Sequence, residues 1–270
     1  MTNSTSNFDS DRRQAIFDAF FRGYTSKQWG KSPEEIDPSI IKRVPVRNNY
    51  DVNYFNDYNQ GIPLDGYNSL FDRLLDHPNI EVRCDSELRW RPRAETGMGV
   101  FTVFNLKTKE EIPLSTVTSH FPLSHLPIYY SGPIDKLFNY KFGALPWRSL
   151  RFETETLDLA DYQGTTVVNY TAADVPYTRI HEFKHYHPER KDVLQSSRTI
   201  IMREYPQTWE LGDEPYYPIN SPESIELLVK YQAEVAKIDN LIVGGRLGGY
   251  KYYDMDQSIA AALAIDIEGC

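Results

Sequence analysis

Residues 240–249 run Asn240-Leu241-Ile242-Val243-Gly244-Gly245-Arg246-Leu247-Gly248-Gly249. A short apolar run meets two glycine pairs. Residues 255–265 follow with Ile259, Ala260 and Leu263 on one side, so the whole reads as strand, glycine-rich turn and helix. That geometry lets backbone N–H groups approach a phosphate or the edge of a planar cofactor. The pattern GGxxGG is not GxGxxG, and it stands late in the chain, whereas a dinucleotide fingerprint opens a βαβ unit. A plain tight turn and a cofactor contact both fit. Arg246 within the glycines can reach a phosphate bidentately, and Asp254 reads as the N-cap of the last helix.

Outward from this stretch the chain is mixed. Ser221-Pro222-Glu223-Ser224 caps a helix expected to run to about residue 237. The runs 149–157, 165–170, 178–187 and 197–205 alternate with turns between them and predict an antiparallel sheet. Residues 126–130 read as a buried strand, 79–84 as another, and 85–125 as irregular with a hairpin around 101–106 and 111–113. At the N-terminal end, 1–10 is expected to be disordered. Ile16, Phe17, Phe20, Phe21 and Tyr24 then recur at helical spacing. Further helices are expected at Pro33, from Pro38 to before Pro45, and over 67–75, with 47–62 as an ordered loop.

Composition excludes several classes. The 270 residues carry a net charge of −9, a poor basis for gripping a phosphate backbone, so no nucleic acid is expected. Two cysteines, Cys84 and Cys270, give no disulfide framework and no CxxC pair, which suits a reducing cytoplasm. No apolar run approaches a membrane span and no signal peptide is read. Aromatic residues make up 13%, with 19 tyrosines, which fits strand filling as well as sugar or nucleotide binding.

Phe20-Phe21-Arg22-Gly23-Tyr24-Thr25-Ser26-Lys27-Gln28-Trp29-Gly30 sets aromatic faces beside donors, suited to stacking a base or to packing a helix into a core. Arg43, Arg47, Arg151, Arg179 and Arg203 lie in apolar or tyrosine-rich surroundings, and several converging would make an anion site. His181, His185 and His187 fall on one side of the 178–187 run. No Cys or carboxylate at ligand spacing accompanies them, so no metal is expected. No GxSxG elbow, P-loop or HExxH occurs.

The segments GYTSKQWG (23–30), IIKRVPVR (40–47), YFNDYNQGIPLDGY (54–67), SGPIDKLFNYKFG (131–143), VVNYTAADVPYTRIHEFKH (167–185), EYPQTWELGDEPYYPIN (204–220) and GGRLGGYKYYDMDQSIAAAL (244–263), in this order, resemble bacterial UDP-galactopyranose mutases. The resemblance implies an α/β (mixed α+β) fold. Residues 1–62 would belong to a helical substrate-binding domain, 63–145 to a partial, Rossmann-like FAD-binding domain with a variable insertion at 85–125, 146–220 to an antiparallel sheet domain, and 221–270 to the C-terminal part of the FAD-binding domain. It implies interconversion of UDP-galactopyranose and UDP-galactofuranose by covalent catalysis through reduced FAD, for galactofuranose-containing cell-surface glycans, in a cytoplasmic homodimer. By motif, Arg43 and Arg179 match the catalytic arginines that engage the diphosphate. Phe20, Tyr24, Thr25, Trp29, Tyr54, Arg203, Tyr217 and Tyr252 match substrate-binding positions. Gly245, Arg246, Tyr252, Asp254 and Met255 match the flavin-contacting segment. The family's opening GxGxxG unit has no counterpart, so the chain is expected to be truncated and not to retain FAD stoichiometrically. The alternative is a non-catalytic remnant with residual UDP-sugar affinity.

Overall fold

The computed structural model describes residues 4–36, 57–92, 99–118 and 126–265. Arg43, Tyr54 and the helix expected from Pro38 lie outside them. The chain forms two compact units with mixed α and β structure, each built from two separated stretches. The first comprises Met1–His77 and Arg148–Tyr216, the second Pro78–Trp147 and Tyr217–Cys270.

In the first unit a helix spans Ser4–Phe17, passes through a π turn at Asp18–Arg22 and resumes over Gly23–Trp29. The expectation of disorder over 1–10 therefore fails from Ser4 onward. Extending an existing helix costs far less than nucleating one, so polar residues join the aromatic stripe behind them. Gly30, at φ 65°, closes the helix by donating to the Ser26 carbonyl. Ser32 and Glu35 form a capping box around a single 3-10 turn.

The sheet of this unit has antiparallel neighbours in the order Val167–Asn169, Arg179–Glu182, Thr199–Thr208, Trp147–Leu157. Alternation predicted these strands. Two runs are shorter than expected: 165–170 forms a strand only over Val167–Asn169, and 178–187 leaves the sheet after Glu182 into a 3-10 turn over Phe183–Tyr186. His185 and His187 are thus off the strand, and the expectation of three histidines on one strand face is corrected. Ile180 and Ile201 are fully buried. The helix Gly66–Leu75, in contrast, buries none of its residues and exposes Phe71, Leu74 and Leu75.

In the second unit, Ser86–Pro92, Gly99–Asn105 and Glu111–Pro113 make a three-stranded antiparallel sheet. The expected strand at 79–84 is irregular, and the pairing begins at Ser86 instead. Gly99 explains the choice. A Cβ there would stand 2.1 Å from the Trp90 ring, so a bare backbone lets Trp90 lie across the neighbouring strand and meet Phe101 edge-on at 4.7 Å. Leu241–Val243 pairs in parallel with Ile128–Tyr130 and leads into the glycine turn. The helix Pro222–Val235 starts at the predicted Ser221 cap. Its fully buried Tyr231 donates from its hydroxyl to the Gly143 carbonyl at 2.7 Å and accepts from the Phe142 amide at 3.1 Å.

Candidate functional site

The sequence-predicted residues gather into two clusters, one in each unit. In the first, Arg179 opens its strand opposite Glu204. Directly opposed residues of an antiparallel pair share a face, and the Arg179 Nε lies 3.4 Å from the Glu204 carboxylate, which is only 5% exposed. His181, two residues on and therefore on the same face, brings its Nε2 within 3.5 Å of the other oxygen of that carboxylate. Arg179 Nη2 donates to the Tyr24 hydroxyl at 2.6 Å. A cation is thus held between a buried carboxylate and a phenol contributed by the helix.

Thr25 and Trp29, on that helix, are buried, as core packing alone would also place them. Phe20 belongs to the π turn. Arg203 is not brought to Arg179. It neighbours Glu204 along the strand and sits opposite Ile180 and Glu153, so it projects from the other face. There its Nη1 pairs with Glu155 at 2.7 Å. A shallow cleft of about 400 Å³ opens where Asp18, Arg22 and Gly23 meet residues 171–173; neither Tyr24 nor Arg179 lines it.

That other face carries a network the sequence did not reveal. Glu182 is fully buried and accepts from the Tyr162 and Gln163 amides at 3.0 and 2.8 Å and from the Thr199 hydroxyl at 2.6 Å. Burial alone would raise its carboxyl, but these three donors outweigh burial and hold it below its ordinary range. His185 Nε2 lies 3.4 Å from Glu182 and 3.2 Å from Asp161. Among the described residues, Asp161, Glu182 and His185 therefore form one group of adjacent nitrogen and oxygen donors. Spacing could not expose it, because Asp161 arrives from a different turn.

The second cluster surrounds the glycine turn. Gly244 is extended and Gly245 has φ 76°, after which Gly245–Gly248 makes one helical turn. A Cβ on Gly248 would meet a Val243 methyl at 2.9 Å and the Tyr130 carbonyl at 3.1 Å, so only glycine lets the turn pack this closely on the parallel strands. Arg246 lies over the Tyr252 ring at 4.8 Å and the Tyr217 ring at 5.5 Å, and donates to the Tyr253 carbonyl. The two tyrosines meet edge-to-face at 5.2 Å. Asp254 and Gln257 form a capping box on the helix Met255–Leu263, as predicted for Asp254, and Met255 is exposed. Among the described residues no helix is long and apolar enough to cross a membrane.

The family profile described as UDP-galactopyranose mutase matches residues 19–252. A probable UDP-galactopyranose mutase of Klebsiella pneumoniae is 38% identical over 248 residues, covering 92% of this chain and 56% of the relative. The dTDP-fucopyranose mutase of Escherichia coli is also 38% identical, over 92% of this chain and 59% of its own length. The UDP-galactopyranose mutase of Mycoplasma pneumoniae is 33% identical, over 89% of this chain and 56% of its own. The chain thus spans a little over half the length of these curated relatives. With the profile spanning most of the chain and relatives at 33–38% identity, the chain belongs to the UDP-galactopyranose mutase family.

Proposed function

We propose that this protein serves the interconversion of UDP-galactopyranose and UDP-galactofuranose, with Arg179 and Tyr24 at the nucleotide-diphosphate end of the site. The hydrogen bond between these two residues supports the reading most directly, since it joins two family-matching segments 155 positions apart. As the glycosidic bond to UDP breaks, negative charge grows on the diphosphate. A guanidinium held in advance stabilises that charge without reorganising. Glu204 fixes Arg179 and leaves its Nη2 edge directed at Tyr24. Arg43, outside the described residues, would supply a second positive charge. Arg203, which pairs with Glu155 on the opposite face of the sheet, is a further substrate-binding arginine in this reading.

The second cluster suits a flavin. No atom lies within 4 Å of where a Gly244 Cβ would stand, which leaves open backbone at the head of the turn, flanked by Arg246 on its tyrosine rings. Gly245, Arg246, Tyr252, Asp254 and Met255 would hold the group, and the parallel strand pair behind them suits a Rossmann-like domain. Reduced FAD, when bound, supplies the nucleophilic centre for covalent catalysis. A cytoplasmic homodimer that forms galactofuranose for cell-surface glycans completes the proposal.

A second reading has a specific basis: the dTDP-fucopyranose mutase matches as closely as the Klebsiella protein. Calorimetric titration of the chain with UDP and dTDP separates the two. We expect UDP to bind more tightly and R179A to weaken it by about tenfold or more, which is about 1.4 kcal/mol. Tighter dTDP binding would transfer the site to the deoxynucleotide, and an R179A affinity equal to wild type would remove Arg179 from it.

A further inference from the structure

Lys27 stands in the helix Gly23–Trp29, three residues after Tyr24, and its side chain is hydrogen-bonded to four backbone carbonyls. A lysine among aromatic residues invites the reading of a phosphate ligand. Its geometry excludes that. The Nζ donates to the carbonyls of Tyr170 at 2.6 Å, Ala172 at 2.9 Å, Val175 at 3.0 Å and Tyr177 at 3.1 Å. An ammonium has three N–H groups, so four carbonyls take up all its donor capacity. Gly23, one helical turn earlier on the same face, makes the approach possible, since a Cβ there would stand 2.2 Å from the Thr171 carbonyl oxygen. The helix and the 170–177 turn thus meet backbone to backbone, with one half-buried cation tying them.

The tied turn ends two residues before Arg179. Thr178, fully buried, continues the constraint by donating its amide to the Glu204 carbonyl at 2.9 Å. At the C-terminal end of the helix, Arg148 donates to the Gln28 and Lys27 carbonyls at 2.9 and 3.3 Å. The helix is therefore held to the sheet on both sides of Lys27.

We propose that Lys27 is a positioning residue: by locking the 170–177 turn against the helix, its ammonium sets Arg179 at the Tyr24 hydroxyl. The role in substrate binding rests on the reading of Arg179 as the diphosphate ligand; the role in local order does not. Lys184 provides a matched control. It also donates to backbone carbonyls of the same unit, those of Ala160, Ser196 and Leu194, and is more deeply buried than Lys27, but these three carbonyls lie outside both the helix and the 170–177 turn.

The test compares wild type, K27M, K27R, K184M and R179A by hydrogen–deuterium exchange and by UDP titration. Both methionine variants should lower thermal stability. Of these two, K27M alone should speed exchange across 170–180 and weaken UDP by about tenfold. K27R, which keeps charge and several donors, should stay within about threefold of wild type, since a change that small is under about 0.7 kcal/mol. The double variant K27M/R179A should bind no worse than R179A, because both act on one interaction. Should K27M fail to fold, K27Q is read by the same two measurements. Exchange over 170–180 no faster than in K184M overturns the proposal, as does wild-type UDP affinity in K27M. An R179A variant with wild-type affinity sinks the diphosphate reading alone, and the exchange comparison still decides Lys27.

Discussion

The two clusters hold their arginines by different physics. Arg179, in the first unit, is pinned between the Glu204 carboxylate and the Tyr24 phenol, and its side chain is 29% exposed. Arg246, in the second, rests on the faces of Tyr252 and Tyr217 and donates to a backbone carbonyl. A buried carboxylate fixes a guanidinium at one point and offsets part of its charge, whereas aromatic faces orient it while leaving the charge for a ligand. The first arrangement suits a residue that must already be in place when a leaving group gains charge. The second suits a residue at the rim of a planar group. The first should also fail more sharply when a partner is lost.

The largest expected effect tests that difference. E204Q removes a buried charge facing Arg179 and His181, and urea unfolding should register a loss of about 3 kcal/mol. Y252L, its counterpart in the second unit, should cost only about 1 kcal/mol, because a half-buried cation–π contact lies between the exposed value of about 0.5–1 kcal/mol and the desolvated value of about 2 kcal/mol. Equal costs would erase the distinction between the clusters.

Next in size is an opposition in pH dependence. Glu182 of the first unit and Asp135 of the second are both almost fully buried. Burial raises the Asp135 carboxyl despite hydrogen bonds from the Leu145 and Lys136 amides, whereas the Thr199, Gln163 and Tyr162 donors hold Glu182 down against burial. A lowered carboxyl binds fewer protons folded than unfolded. The stability Glu182 adds is therefore complete above the ordinary glutamate value and is lost as pH falls through its folded value. A raised carboxyl binds more protons folded, so Asp135 costs stability as pH rises from the ordinary aspartate value through its folded value. Unfolding measured from pH 3 to 7 should accordingly show E182Q flattening the acid side and D135N flattening the opposite slope. The same slope in both variants would contradict the assignment. The smallest effect belongs to the exposed pair Arg198–Asp158, where R198A should change stability by at most about 0.5 kcal/mol.

Much of this was legible in the residues, and the failures share a cause. Period-two alternation gave the four main strands, and Ser221 and Asp254 announced their caps, because these signals are local. The strand expected at 79–84 alternates as well as its neighbours do, but the glycine that accommodates Trp90 lies in the paired strand, so register was decided by a contact across the sheet. The association of Asp161, Glu182 and His185 was likewise invisible to spacing. For Arg203 a signal was present: it precedes Glu204, and consecutive strand residues face opposite ways. Once Glu204 is paired with Arg179, Arg203 cannot share their face.

The most direct test of the account is conversion of UDP-galactopyranose to UDP-galactofuranose with dithionite-reduced FAD, comparing wild type with R179A by chromatography of the sugar nucleotides. Because the chain is not expected to retain FAD, the reduced cofactor is supplied in excess; wild type should then convert the substrate, and R179A should lose about 10²–10³-fold, the scale of removing one preorganised charge-stabilising donor. Turnover by R179A at the wild-type rate would contradict it.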